Sequence, residues 1–310
     1  MRVLVTGAEG FVAQHLIPVL RADGADVVGT AIRDNTNDLS VTMVTLDVTD
    51  TQRTRELVRD VRPSHIVHLA AVSSVRVSFQ NPQAAEDVNV RGTQGLLEAA
   101  AALPTPPLVL LIGSGDEYGP NEGKPLPELP LSELRPVSPY GKSKKAVEEL
   151  VEKSPAFLKF TLRTRSFPHI GPRQAGHFFV PEVATEIVRI ERAQQPPVIG
   201  VGNLSAVRDL TDVRDVVRAY LLLLKEGKRG EVYNVCSGVA ILIQDLLKKL
   251  IALSDVQIRA EQDPQKVRPV DIPVLVGDNS KLRKATAWKP EIPLDGTLRD
   301  VLEYHRGRPS

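Results

Sequence analysis

A doubly wound α/β fold, carrying a smaller mixed α/β C-terminal domain, is what this 310-residue sequence predicts. Three observations carry the prediction. Short apolar runs alternate with helical patterns through the first half. A glycine turn, Gly7-Ala8-Glu9-Gly10, stands between the first apolar run and the first helical pattern. Prolines, 24 in all, gather in connectors at 104–107, 120–139, 196–197 and 264–273. Proline is barred from central strands and helix interiors, so these segments read as loops over one edge of the sheet.

The elements follow in order. Residues 2–5 read as a strand and 11–20 as a helix. Strands are expected at 26–30, 41–46, 65–69 and 108–113, with one long helical pattern over 84–103. Such alternation implies a parallel sheet covered on both faces, with ligands bound at the carboxyl edge of the strands. In the second half, 181–193, 213–225 and 243–253 read as helices and 231–236 as a strand. The expected division assigns 1–165 and about 206–237 to the first domain, and about 166–205 and 238–310 to the second.

Composition narrows the function classes. The chain is 42% hydrophobic and 25% charged, with a net charge of +1. That balance suits a soluble protein with a core and offers no global field toward nucleic acid or lipid. Aromatics make up only 4%, and no basic stripe interleaves them, so a nucleic-acid partner is not expected. No apolar run reaches the ~20 residues of a membrane span. Cys236 is the single cysteine, which excludes an intrachain disulfide, and it reads as a small buried residue. The six histidines have no ligand spacing, so no metal is expected. The start of the chain lacks the pattern of a signal peptide, and a cytoplasmic location is expected.

The glycine turn has a chemical meaning. Gly7 permits a tight turn after the first strand, and Gly10 lets the backbone approach a pyrophosphate. Phe11 and Val12 open the helix, whose free N–H groups face the phosphates. Ala13 holds the third position of the pattern. The pattern predicts a dinucleotide-binding turn of the Rossmann type. The end of the second strand, Thr30-Ala31-Ile32-Arg33, has no acid for a ribose diol. Its Arg33 suits a 2′-phosphate, so NADP(H) is favoured and NAD(H) possible, with Asp34 and Asp38 nearby as candidates for NAD. Asp47, at the end of the third strand, is placed to accept from an adenine amino group or to cap the next helix.

Tyr140-Gly141-Lys142-Ser143-Lys144 carries the chemistry. Tyr140 and Lys144 are four apart and share a helix face. A neighbouring ammonium is expected to lower the phenol's pKa, making it a general acid or base on a carbonyl or hydroxyl oxygen. Lys144 would also hold the nicotinamide ribose. Ser114, at the end of the fifth apolar run, would polarise the same oxygen.

With these motifs the chain resembles the extended short-chain dehydrogenase/reductase family, in its nucleotide-sugar branch. The resemblance rests on 6–13, His68-Leu69-Ala70-Ala71, Asn89-Val90-Arg91-Gly92-Thr93, Ser114, 140–144 and Gly171-Pro172. It implies a catalytic triad of Ser114, Tyr140 and Lys144. It also implies cofactor contacts from Val48, Leu69, Ala70 and Ala71, and homodimers joined by a four-helix bundle of the helices near 89–102 and 139–151.

The C-terminal half resembles the branch acting on GDP-mannose derivatives, through 164–172, 201–204, 206–209, 232–238 and 268–271. The implied reaction is reduction of the C4 keto group of a GDP-linked keto-sugar, GDP-4-keto-6-deoxy-D-mannose, to GDP-D-rhamnose. Arg208, Arg268 and Arg173 would meet the diphosphate, Asp271 the ribose, and Asn203 the base or ribose. Val180 would belong to an apolar wall beside the guanine. Ser73, Gly115, Asp116 and His169 would join the sugar site. Two positions depart from the family. Pro168 stands where an asparagine is usual. Asp116 stands where dehydratases carry a glutamate, and it is one methylene shorter. Dehydration of GDP-mannose, epimerisation of a nucleotide sugar, and a silent NADP-binding scaffold remain as alternatives.

Overall fold

The computed structural model describes residues 1–33, 40–266 and 272–308. Strand β1 (Arg2–Thr6) is buried after its first residue, which explains its unbroken apolar run. Helix α1 (Phe11–Ala22) buries Ala13, Leu16, Ile17 and Leu20, the spacing of one helical face. Strands β2 (Asp26–Ala31) and β3 (Thr42–Thr45) follow, then α2 (Thr51–Val61) and β4 (His65–His68). Asp50 caps α2 by accepting from the Arg53 amide at 2.9 Å.

The long helical pattern at 84–103 proves to be three pieces. After α3 (Val75–Gln80) come α4 (Pro82–Ala85), a π-helical segment Glu86–Gly92, and α5 (Thr93–Ala101). A π segment adds a residue to the turn and shifts the face that follows. Strand β5 (Leu108–Ser114) then leads, through a proline-rich loop, to α6 (Pro139–Glu152). Ser138 caps α6 by accepting from the Gly141 amide, and Pro139 occupies the first turn. Short α7 (Pro155–Leu158) precedes β6 (Thr161–Ser166).

The remaining chain is mixed. It runs β7 (His169–Ile170), α8 (Phe179–Glu191), β8 (Val198–Val201), β9 (Val207–Asp209), β10 (Thr211–Asp212) and α9 (Val213–Glu226). Strand β11 (Val232–Val235), β12 (Ala240–Leu242), α10 (Ile243–Ile251), β13 (Arg259–Gln262), β14 (Val274–Leu275), α11 (Ser280–Thr286) and α12 (Leu294–Arg306) complete it.

Seven strands form one sheet in the order β3-β2-β1-β4-β5-β6-β11, each neighbouring pair parallel. Alternate residues feed opposite faces. Val3 and Val5 pack with Leu16, Leu20, Tyr220 and Leu223. Leu4 packs on the other side with Leu57, Leu96, Val147 and Val151. A separate core joins Ile170, Val183, Ile187, Leu246, Leu250, Leu298 and Val301, beside short sheets β12-β9-β14 and β13-β8. Leu282 and Trp288 return to the first core, although the expected division grouped 238–310 with the second domain. The loop after β5 also has a core: Leu126 and Leu134 pack with Tyr118, Phe167 and Cys236. No helix among the described residues is long and apolar enough to cross a membrane.

Candidate active site

Strand order reverses between β1 and β4, and a crevice opens there at the carboxyl edge. Its volume is about 890 Å³, near the upper end for small-molecule clefts. Gly7 turns the chain with φ +67°. A Cβ at Gly7 would stand 2.8 Å from the Ala70 amide nitrogen, so only glycine fits both the turn and the contact. The first turn of α1 has no side-chain cap and no acidic residue. Its amides are therefore available to an anion. This narrow cradle beside an uncapped helix start fits the pyrophosphate of a dinucleotide.

Ser114, Tyr140 and Lys144 meet along the same crevice. Ser114 is 5% exposed; its hydroxyl donates to Asp116 Oδ2 at 3.3 Å and accepts from the Asp116 amide at 3.2 Å. The start of α6 is tied down by Ser78, whose Oγ accepts from the Tyr140 amide at 3.1 Å. Lys144 Nζ donates to the Ile112 carbonyl at 2.7 Å and lies 5.9 Å from the Tyr140 ring centroid.

The expected acidification of Tyr140 by Lys144 does not occur in this site. Burial pushes the phenol up from its ordinary value, the Asp116 charge adds to the rise, and a hydrogen bond with Ser114 opposes both. Burial also pulls Lys144 down, to about 8. Enclosure penalises phenolate and ammonium alike, so both groups shift toward the neutral form. At neutral pH Tyr140 keeps its proton.

Two buried chains of hydrogen bonds hold this geometry. Thr6 Oγ1 meets His68 Nδ1 at 2.7 Å, and His68 Nε2 meets Thr93 Oγ1 at 2.9 Å. Thr93 donates onward to the Asn89 carbonyl, which makes His68 Nε2 the donor and Nδ1 the acceptor. Burial, with Lys144 nearby, pulls His68 down to about 3, so it stays neutral. Asn89, in the π segment, donates to Ser143 Oγ at 2.9 Å and to the Val72 carbonyl at 3.1 Å, and accepts from the Val72 amide at 2.8 Å. Ser143 in turn donates to the Tyr140 carbonyl at 2.8 Å. Asn89 was legible only as part of a motif; the π turn that aims it was not.

The crevice is lined by Gly7, Gly10, Phe11, Val12, Asp47, Val48, Leu69, Ala70, Ala71 and Ser73, and by Asp116, His169, Val180, Asn203 and Arg208 beside the triad. Several expectations need correction. Arg33 is exposed just beyond β2 and is not part of the lining, where Ile32 stands instead. Asp47 does not cap α2; it accepts from the Thr49 amide at 2.9 Å and hydroxyl at 2.7 Å. Gly115 faces the Phe167 ring, 3.2 Å from where its Cβ would be, so it lies behind the crevice wall. Arg173 is exposed at φ +74° and reaches Gln14 at 3.4 Å, outside the lining. Arg268, Asp271, Asp34 and Asp38 lie outside the described residues. The lining also holds Arg76, Gln80, His177 and Lys266, which no spacing in the sequence marked. His169 Nδ1 donates to the Phe167 carbonyl at 3.0 Å, and its ring stacks on Phe11 at 6.1 Å between centroids.

Comparison with known proteins follows this geometry. The profile of the GDP-mannose 4,6 dehydratase family matches residues 4–301. The chain is 32% identical over 308 residues to the GDP-6-deoxy-D-mannose reductase of Pseudomonas aeruginosa, covering 99% of this chain and 98% of that protein. It is 31% identical over 284 residues to the GDP-6-deoxy-D-talose 4-dehydrogenase of Aggregatibacter actinomycetemcomitans, covering 91% and 90%. The solved structure of RMD from P. aeruginosa complexed with NADPH superposes with a TM-score of 0.83 at 31% identity, covering 99% of each chain. Fold, glycine turn and full-length likeness agree: the chain belongs to the GDP-mannose 4,6 dehydratase family, within the nucleotide-sugar short-chain dehydrogenases/reductases.

Proposed function

We propose that the protein reduces the C4 keto group of GDP-4-keto-6-deoxy-D-mannose to GDP-D-rhamnose with NADPH, NADH serving less well. The observation that carries this reading is the placement of the Tyr140 phenol beside Ser114 and Lys144 in the crevice, where burial favours the protonated form. A reductase needs a proton donor at this point, and the site keeps the phenol in that form. The likeness to a GDP-6-deoxy-D-mannose reductase, and to a structure complexed with NADPH, supports both substrate and cofactor.

NADPH, when bound, supplies the hydrogen and two electrons that add to the C4 carbon. Tyr140 gives its proton to the developing alkoxide, Ser114 donates a hydrogen bond to the same oxygen, and the Lys144 ammonium stabilises the phenolate left behind. Arg208 and Asn203 support nucleotide binding from the second lobe, with Arg268 and Asp271 as further candidates. We read the lobe formed by about 166–205 and 238–310 as the sugar-nucleotide side. A homodimeric four-helix bundle of the helices near 89–102 and 139–151 is in keeping with the way Asn89 of the π segment and Ser143 of α6 hold these two stretches side by side in one protomer. A cytoplasmic location accords with the reducing cofactor.

Asp116 favours one rival. Its carboxylate lines the crevice two residues after Ser114, where a dehydratase carries its glutamate. Product analysis separates the two. Reduction consumes NADPH and the GDP-keto-sugar in equal amounts. Formation of a keto-sugar from GDP-mannose alone, with no net use of cofactor, would establish dehydration instead.

A further inference from the structure

Glu117 has no part in the mechanism above, yet it sits directly behind it. The residue is 0% exposed, and its Oε1 accepts from the Ser114 amide at 2.6 Å. Space for it is made by Gly113 in β5: a Cβ there would lie 2.6 Å from Glu117 Oε1. Ser114 and Glu117 close a capping box around a single short turn. A capping box satisfies two helix-start amides reciprocally; here its glutamate is fully buried.

The charges around it are already matched. Arg165, 2% exposed, grips Glu148 in a two-pronged pair at 2.8 and 2.9 Å. Its remaining contacts go to the Leu129 carbonyl at 2.7 Å and the Tyr118 hydroxyl at 3.3 Å. Arg163 pairs with Glu152 at 3.2 Å and stands 3.6 Å from Glu148. Among the described residues no guanidinium donates to Glu117. With both carboxyls ionised, Glu117 Oε2 is buried without a partner. One added proton turns its approach to Glu148 into a hydrogen bond. An unpaired buried carboxylate is strongly disfavoured, so the proton stays.

We propose that Glu117 is a positioning residue for the reaction: as a neutral acid sharing one proton with Glu148, it fixes the Ser114 main chain and so aims the serine hydroxyl at the reacting oxygen. Burial and the Glu148 charge outweigh the nearby Arg165 and hold this carboxyl well above the usual range, in keeping with the geometry. Asp116, Tyr140 and Lys144 line the crevice, and Arg165 stacks on the Tyr118 ring at 5.0 Å; Glu117 is within electrostatic reach of Tyr140, Lys144, Glu148 and Arg165. A neutral Glu117 leaves Lys144 without a buried counter-charge there. The inference rests on the reductase reading for its kinetic arm only.

The test compares wild type, E117Q and E117L. Glutamine can accept from the Ser114 amide and donate to Glu148, as the acid does. It should rescue turnover, with the pH profile of kcat unchanged. Leucine removes both contacts and should cut kcat by about 10²-fold with little change in KM, the scale of a small misplacement of a reacting group. Infrared difference spectra of wild type against E117Q should show the carbonyl stretch of a protonated carboxyl at neutral pH. An E117Q enzyme as impaired as E117L, a shifted alkaline limb in E117Q, or absence of that stretch would each overturn the proposal. If the wild-type protein itself does not turn over the keto-sugar, the reductase reading fails, and the infrared comparison still decides the state of Glu117.

Discussion

Lys144 reaches past the Tyr140 ring and donates to the Ile112 carbonyl at 2.7 Å, while the phenol finds its partner in Ser114. The two side chains share a helix face without forming an ion pair. Enclosure keeps the proton on Tyr140 and lowers Lys144 to about 8, so the ammonium persists at neutral pH, and this sets the pH behaviour of the site.

The first prediction concerns pH. Lys144 has its pKa lowered from 10.5 to about 8, so its ammonium is present below that value and lost as pH rises through it. Tyr140 is raised above its ordinary value and still carries its proton there. The kcat/KM for reduction should therefore fall above pH about 8. His68, held down to about 3, adds no limb near neutrality. A profile that stays flat into the range where free tyrosine ionises would refute the assignment.

Removing the proton donor should damage turnover and spare binding. Tyr140→Phe is expected to lower kcat by roughly 10²–10⁴-fold, the range for general acid catalysis. Ser114→Ala should lower it by about 10²–10³-fold, as for loss of one donor to a developing oxyanion. Steady-state kinetics with the keto-sugar measures both, with KM expected to move little.

Asn89 should affect stability and turnover together. Its side chain satisfies both polar groups of Val72 and holds Ser143, at 2% exposure. Asn89→Ala leaves buried partners unpaired, at about 1–3 kcal/mol. Denaturant unfolding reads the loss, and kcat should fall with it because Ser143 anchors the Tyr140 carbonyl. An active enzyme of wild-type stability would sink this account.

We propose that Arg33, although outside the crevice lining, selects the cofactor. Exposed beyond β2, it can swing toward a 2′-phosphate without a rearranged core. Hydrogen bonds to charged groups contribute about 1.5–3 kcal/mol, so Arg33→Ala should raise KM for NADPH roughly tenfold or more. The KM for NADH should not change. Equal effects on both cofactors would place the phosphate site elsewhere.

Local pattern made much of this protein legible. Val3-Leu4-Val5 could only be a strand buried on both faces, and Leu16, Ile17 and Leu20 could only face a sheet. Gly7 after that strand and Tyr140 four residues before Lys144 are short-range facts, because turn and helix periods are set within a few residues. The chemistry expected of the pair was misjudged for a different reason. Spacing gives proximity, but ionisation depends on what encloses a group, and enclosure is built from β4, β5 and the turn after Ser114.

The same division runs through the rest. The amino-acid sequence by itself determined the βα alternation, the glycine turn, the serine at the end of β5 and the tyrosine–lysine face, since each depends on neighbours along the chain. Only the tertiary structure decided that Gly115 turns to Phe167, that Arg173 points to solvent, that Asn89 sits in a π turn, and that Glu117 lies dry against Glu148. Those outcomes depend on residues dozens of positions apart meeting in space, where burial sets the energy of every charge.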